Sequence, residues 1–170
     1  DDLVCQGIKF GAPFLKAVMP RAYVDLNRGS DELDPALISG IVSRSKNNRI
    51  SYGLGVIPRV VGNGKEIYKG KISQAEAEIR ILNYWRPYHL VLKKLMTETH
   101  KKFGTAILID CHSMPTLPNY SGLKQLQKMP DIILGDRFGG SADRDIVDKI
   151  ESIFVREGFS VGRNVPFSGA

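Results

Sequence analysis

Cysteine is scarce in this chain of 170 residues, and long apolar runs are absent. The two cysteines, Cys5 and Cys111, are too few for a disulfide framework and form no paired zinc signature, so we expect two reduced thiols. No apolar run approaches the roughly 20 residues of a membrane helix, which predicts no membrane partner. The first residues carry acids and no secretory signal, so we expect a cytoplasmic protein.

Clustered charge is also absent. The formal net charge is +6, from 24 basic and 18 acidic side chains, but the basic residues are scattered or paired, as in Lys93-Lys94 and Lys101-Lys102. This pattern disfavours nucleic acid as a partner and favours a basic cleft for a small anionic substrate. Without internal repeats, the length suits one domain. The sequence specifies no oligomeric state.

A long helix is the clearest predicted element. Ser73 and Glu76 have the spacing of a capping box, which predicts a helix beginning at this point. Apolar or large residues then recur on one face as far as Phe103. Pro87 predicts a kink or break near residues 83–86, and Gly104 predicts the end of the helix.

Strands are predicted before and after this helix. The first covers residues 22–26 and precedes a loop-rich stretch from about 29 to 70; the second covers Thr105 to Asp110. The remaining elements are a strand at 131–134, a helix at about 142–157 with Ser141 as N-cap and Gly158 after its end, and a strand at 159–163. Strands that alternate with helices indicate an α/β fold with a mixed or mostly parallel sheet.

The segment Asp25-Leu26-Asn27-Arg28 is a polar cluster at a predicted strand end. If the strand continues, Asp25 and Asn27 share one face. The guanidinium of Arg28 beside the amide of Asn27 suits a carboxylate, which it would bind through two hydrogen bonds. The alternative interpretation is that Arg28 pairs with Asp25 and only holds the loop.

A second cluster, Asp110-Cys111-His112-Ser113, follows the next predicted strand. His112 beside a carboxylate is a candidate zinc ligand, and a hydrogen-bonded structural histidine is the alternative. A serine triad is disfavoured, because Ser113 is adjacent to His112 and no G-x-S-x-G elbow is present. His89 falls on the apolar stripe of the long helix, which indicates a satisfied core histidine.

A third candidate lies between the strand at 131–134 and the following helix. Asp136 and Arg137 stand in a glycine-rich loop that matches neither a dinucleotide-binding motif nor a P-loop. The two side chains either line an anion site near the helix N-terminus or only stabilise the loop.

Five motifs together resemble the N-formylglutamate amidohydrolase family, and their order and spacing fit across nearly the whole chain. They are DLNR at 25–28, YWRPYH at 84–89, LIDCHSMP at 108–115, PDIILGDRFG at 130–139 and NVPFSGA at 164–170. The D-x-N-R and H-S pair is also similar to that of zinc carboxypeptidases, whose fold the family is thought to share.

The resemblance implies a zinc-dependent amidohydrolase that cleaves N-formyl-L-glutamate to formate and glutamate in a route of histidine degradation. It implies a three-layer α/β sandwich with a mixed, mostly parallel sheet, similar to zinc carboxypeptidases. In this reading His112 is a zinc ligand, the zinc polarises the formyl oxygen and activates a water, and Asn27 and Arg28 hold a substrate carboxylate. Asp136 and Arg137 complete the expected substrate-binding residues.

The resemblance also implies that a single hydrolytic domain, residues 1–170, is truncated at both ends. The family carries another histidine ligand and an acidic ligand upstream, and its general-base glutamate is expected beyond Ala170, so no catalytic base is assigned here. Two alternatives stay open. One is a catalytically incomplete remnant that acts as a binding or interaction domain, and the other is a related zinc hydrolase of another N-acyl amino acid.

Overall fold

The computed structural model describes residues 4–42, 48–61, 64–113 and 129–169. The chain divides into two compact units, a first unit of residues 1–111 and a second unit of residues 112–170.

The first unit is built around one long helical run. After a short 3-10 helix at Cys5–Phe10 and the single turn α1 at Asn48–Ser51, the run consists of three segments. These are α2 (Gln74–Arg80), a π-helical segment (Ile81–Trp85) and α3 (Arg86–Phe103).

The predicted start, irregularity and end of this run are confirmed. The hydroxyl of Ser73 accepts a hydrogen bond of 3.1 Å from the backbone N–H of Glu76. Pro87 has no N–H to donate to the preceding turn, and the helix widens into the π segment just before it rather than breaking. Gly104 ends α3 with a φ of 73°, a left-handed conformation that glycine adopts without steric penalty.

The core of the first unit is formed by loops packed against this helical run. Its buried residues come from three loop segments and from α2: Val24, Leu37, Ile38, Val56, Ile57 and Ala77. The backbone N–H of Asp25 donates to the carbonyl of Val56 at 2.7 Å, and the N–H of Val56 donates to the carbonyl of Glu32 at 2.9 Å. The loop-rich stretch expected at about 29–70 therefore supplies much of the core.

The predicted strand at 22–26 is wrong. The carbonyl of Pro20 accepts a hydrogen bond from the N–H of Tyr23 at 2.9 Å, so the backbone turns at this point. The carboxylate of Asp25 then accepts a hydrogen bond of 3.0 Å from the N–H of Asn27. Such a local bond competes with the extended backbone of a strand.

The predicted strand from Thr105 to Asp110 is also wrong. The segment has no regular secondary structure, and Ile107, Leu108 and Ile109 are 53%, 55% and 66% exposed. Apolar character alone does not make a strand, because the backbone groups need a hydrogen-bonded neighbour. Within the described ranges no strand pairs with this segment.

The second unit contains a small βαβ arrangement. Strand β1 (Ile132–Leu134) pairs in parallel with β2 (Val161–Arg163), and helix α4 (Arg144–Arg156) connects them. Ile133 pairs with Gly162 at the centre of the register. These elements confirm both predicted strands, the helix between them and the α/β class.

The predicted N-cap of α4 is wrong by two residues. Asp143 caps the helix instead of Ser141, and its carboxylate accepts a hydrogen bond of 2.9 Å from the N–H of Asp145. Aspartate is as good an N-cap as serine, so composition alone does not choose between them. Gly158 follows the helix with a φ of 90°, as expected.

A search of the described residues finds no helix that is long and apolar enough to cross a membrane.

One buried cation joins three parts of the first unit. Arg80, at the end of α2, is 6% exposed. Its guanidinium donates to the Tyr68 hydroxyl at 2.7 Å, to the Tyr23 carbonyl at 3.3 Å and to the Glu76 carboxylate at 2.8 Å. Burial acts to lower the pKa of Arg80, but the bonds to Tyr68 and Glu76 outweigh it and raise the pKa above its ordinary value.

We predict that Arg80→Leu lowers the free energy of unfolding of the full-length protein by about 2–4 kcal/mol, because three partly buried acceptors lose their donor. Urea denaturation followed by circular dichroism measures this change. Arg156→Leu is the matched control, since this side chain is 74% exposed, and should change stability by less than about 0.5 kcal/mol. Equal stability of Arg80→Leu and wild type would contradict the role of Arg80.

Candidate functional site

The carboxylate of Asp25 is the fixed point of the loop that carries Asn27 and Arg28. Asp25 is 5% exposed. Arg21 donates to its two oxygens from Nε and Nη2, at 3.2 Å and 2.7 Å, and the N–H of Asn27 adds a third bond at 3.0 Å. The hydrogen-bonding capacity of Asp25 is thus largely used by Arg21 and the backbone.

Arg28 is less well satisfied than its burial requires. Its side chain is 15% exposed, and its Nε lies 3.9 Å from the nearest oxygen of Asp25, beyond hydrogen-bonding distance. Nη1 donates to the carbonyl of Asn27 at 3.1 Å. The Nε atom is buried and has no hydrogen-bond partner in the part of the chain that the structure describes. Arg28 therefore forms the ion pair with Asp25 that the loop-holding interpretation expects, while its Nε lacks a hydrogen-bond acceptor among the described residues.

Two side chains of the helical run hold the backbone of this loop. The indole Nε1 of Trp85 donates to the carbonyl of Arg28 at 2.8 Å, and Nε2 of His89 lies 2.9 Å from the carbonyl of Leu26. A carbonyl only accepts, so Nε2 of His89 carries the proton. The two rings stack with their centroids 3.9 Å apart. His89 was predicted to be a satisfied core histidine; its hydrogen bond confirms that it is satisfied, but it is only partly buried.

The segment around His112 is exposed. Asp110, Cys111, His112 and Ser113 are all exposed, and they have no regular secondary structure. Desolvation and the nearby Asp110 carboxylate raise the pKa of the Cys111 thiol, which keeps it protonated. The described residues contain no group of three or more His, Cys, Asp and Glu side chains that could bind a metal. By themselves they do not fit a complete zinc site.

In the second unit, Asp136 is a buried loop anchor. Its carboxylate accepts a hydrogen bond of 2.7 Å from Nδ2 of Asn164, whose Oδ1 in turn accepts one of 3.0 Å from the N–H of Asp136. The bond from Asn164, followed by one from the backbone of Gly139, holds the pKa of Asp136 below its ordinary value. A lowered pKa keeps this carboxylate ionised at neutral pH.

Arg137 is presented by a strained backbone. Its φ is 54° and that of Phe138 is 57°, a left-handed conformation that is uncommon outside glycine. The N–H of Arg137 donates to the carbonyl of Ser168 at 2.7 Å, while its side chain is exposed. The loop thus places one exposed guanidinium beside one buried carboxylate.

The predicted site residues are therefore distributed over both units. Asn27 and Arg28 lie in the first unit, and His112, Asp136 and Arg137 lie in the second. The roles of Trp85, His89 and Asn164 do not follow from the motifs that contain these residues. For Trp85 and His89, their position four residues apart in the YWRPYH motif was an available signal, because such residues share a helix face.

Comparison with known proteins identifies similar chains. The family model described as N-formylglutamate amidohydrolase matches residues 1–170. The N-formylglutamate deformylase of Pseudomonas aeruginosa is 31% identical over 166 residues, which cover 95% of this chain and 56% of that protein. The corresponding protein of Pseudomonas putida is 29% identical over 164 residues, covering 94% and 55%.

A solved structure is similar as well. The crystal structure of N-formylglutamate amidohydrolase from Ralstonia eutropha JMP134 matches with a TM-score of 0.81 and 34% identity. The match covers 89% of this chain and 55% of that one. This chain thus spans about half the length of the relatives that it matches.

We predict that Asp136→Asn destabilises the full-length protein at neutral pH and that this difference shrinks in acid. Because the folded-state pKa of Asp136 is lowered, its stabilising contribution is present above about pH 4 and is lost as the pH falls through the folded value. Urea denaturation of both proteins at pH 7, 5 and 3 measures the difference. Glu157→Gln, an exposed carboxylate outside this loop, serves as the control. A difference that does not vary with pH would show that Asp136 does not act through its charge.

Proposed function

Because this chain belongs to the N-formylglutamate amidohydrolase family, we propose that the protein hydrolyses the formyl amide of N-formyl-L-glutamate. Water adds across the carbon–nitrogen bond, so that its hydroxyl joins the formyl carbon and one proton goes to the leaving nitrogen. The products are formate and glutamate. A cytoplasmic location and a place in histidine degradation are parts of the same proposal.

The observation that carries this proposal is the partly buried side chain of Arg28, whose Nε has no hydrogen-bond partner among the described residues. N-formyl-L-glutamate has two carboxylates, and a carboxylate is the planar acceptor that an arginine binds best. The neighbouring carboxylate, Asp25, is already bound by both Nε and Nη2 of Arg21. We propose that Arg28, with the amide of Asn27, binds one substrate carboxylate.

Asp136 and Arg137 are proposed as the second pair of substrate-binding residues. Arg137 is exposed and carries the charge that suits a carboxylate. Asp136 is buried and bound to Asn164, so its contribution is to hold the loop that presents Arg137. The net charge of +6 is consistent with a dianionic substrate.

We also propose how the sheet and helices are layered. The α/β class is established by β1, α4 and β2. We propose that the sheet belongs to a three-layer sandwich similar to zinc carboxypeptidases, and that both units are parts of one hydrolytic domain.

We propose zinc as the metal of this protein. We propose His112 as one ligand, with the other ligands and the general-base glutamate outside the described residues. The support is the family membership and the position of His112 within the LIDCHSMP motif.

We predict that Arg28→Ala raises KM for N-formyl-L-glutamate about ten- to a hundredfold, as expected for a lost hydrogen bond to a charged group, while kcat changes less. Two substrate analogues, N-formyl-L-glutamine and the α-amide of N-formyl-L-glutamate, each lack one carboxylate. The analogue that lacks the partner of Arg28 should react equally with wild type and Arg28→Ala. Steady-state formate release measures all of these rates.

Arg86→Ala is the control for Arg28, since it removes an exposed arginine of α3. It should leave KM within about twofold of the wild-type value. If Arg28→Ala has a normal KM, or if both analogues are as sensitive as the full substrate, Arg28 does not bind a carboxylate.

We predict that the full-length wild type binds zinc stoichiometrically and that His112→Ala loses it, because a catalytic zinc has only about three protein ligands. Mass spectrometry of metals after dialysis gives the zinc content without any assay of activity. His100→Ala, which removes an exposed histidine near the end of α3, should retain zinc. Retention by His112→Ala would remove this ligand from the proposal, and a wild type without zinc would favour the non-catalytic remnant.

A further inference from the structure

We propose that Trp85 and His89 are positioning residues that set the conformation of Arg28 through two hydrogen bonds to its loop. This inference deepens the proposed function and depends on it for the meaning of Arg28. The contact between the two rings and the loop is observed without any substrate. Two adjacent ring N–H donors of one helical face bind two carbonyls of one loop.

The two accepting carbonyls lie on either side of Asn27. Leu26 accepts from His89 and Arg28 accepts from Trp85, at 2.9 Å and 2.8 Å. With both neighbouring carbonyls fixed, the peptide groups that carry Asn27 and Arg28 have little freedom to rotate. The N–H of Arg28 also donates to the carbonyl of Asp25 at 3.2 Å. The helical run and Asp25 together therefore fix the backbone from which the Arg28 side chain projects.

The rings are themselves held in place. Trp85 and His89 are four residues apart, so they share one helix face, and their rings stack at 3.9 Å. The ring of Tyr88 meets that of His89 edge-on at 5.4 Å. Trp85 is also the last residue of the π segment, and π-helical turns often occur at functional sites. The two rings are in contact with each other and support the loop from the helical run.

The two hydrogen bonds hold the loop of Arg28 in one conformation before the ligand binds, and this preorganisation strengthens binding. A loop that is free to move must be ordered when the ligand binds, and the entropy of that ordering weakens affinity. Loss of either hydrogen bond should therefore weaken binding of the carboxylate that Arg28 recognises. It should leave the chemical step nearly unchanged, because neither ring is proposed to touch the substrate.

The test uses variants of the full-length protein that keep the rings but remove the donors. Trp85→Phe and His89→Phe should each raise KM for N-formyl-L-glutamate about three- to tenfold, with kcat within about twofold. His89→Gln should recover most of the loss, because the glutamine amide also donates a hydrogen bond. The analogue that lacks the carboxylate bound by Arg28 should show no such effect. His100→Phe, an exposed histidine on the same helix, is the matched control.

A second measurement needs no activity. The Nε–H of Arg28 is buried, so its proton should exchange slowly and give a resolved signal in nuclear magnetic resonance spectra, assigned by its absence in Arg28→Lys. His89→Phe should shift or broaden this signal, and His89→Gln should restore it. An Arg28 signal that is unchanged in both Trp85→Phe and His89→Phe would overturn the inference. If the wild type releases no formate, the proposed function fails, but this signal still decides whether Trp85 and His89 position Arg28.

Discussion

The first unit depends on one buried guanidinium. Arg80 is 6% exposed and binds a side-chain hydroxyl, a backbone carbonyl and a carboxylate from three different parts of the chain. Its guanidinium also lies 4.2 Å from the ring centroid of Tyr23. The described part of this unit has no strand ladder, and its backbone links between distant segments are isolated, as between Asp25 and Val56. Side chains therefore supply further cross-links. Arg80 supplies such a link where a sheet would use paired backbones.

The same principle extends along the helical run. Three carbonyls of the segment 23–28 are bound by three side chains of that run. Tyr23 accepts from Arg80, Leu26 from His89 and Arg28 from Trp85. The sequence of this segment predicts a strand, but the segment forms a loop. Its backbone carbonyls accept hydrogen bonds from helix side chains instead of from a neighbouring strand. The conformation of Arg28 follows from this arrangement.

The sequence predicts some elements well and others poorly. The two groups differ in how far apart in sequence the interacting residues are. The helical run follows from local signals, since Ser73, Pro87 and Gly104 each act within one turn of their own position. The strands at 22–26 and 105–110 were inferred from apolar character, yet a strand also requires a partner that is distant in sequence. The strands β1 and β2 could be predicted because the helix between them brings the two together in a short βαβ unit.

The candidate site shows the same limit. Its charged residues, Arg28 and Arg137, were recognised as parts of motifs and from the family resemblance. Trp85 and His89 bind backbone carbonyls, and a carbonyl is present at every residue, so no sequence pattern marks which one is used. Asn164 likewise binds the carboxylate of Asp136 across 28 positions of the chain. Side chains that touch a ligand are constrained by its chemistry, whereas those that support them are constrained only by the fold.

Two arginines, Arg21 and Arg28, lie next to the carboxylate of Asp25, and they differ in how well their hydrogen-bond donors are satisfied. Arg21 is 58% exposed and makes the bidentate pair with Asp25, while Arg28 is 15% exposed and stays at 3.9 Å. A purely structural ion pair would be expected to satisfy the more buried charge first, because an unpaired buried charge is the more costly of the two. Here the more exposed arginine donates two hydrogen bonds to the carboxylate, whereas the less exposed one has an ion pair with it but no hydrogen bond from its Nε among the described residues. A carboxylate that reached Arg28 would supply this acceptor, and the hydrogen bond gained would favour binding.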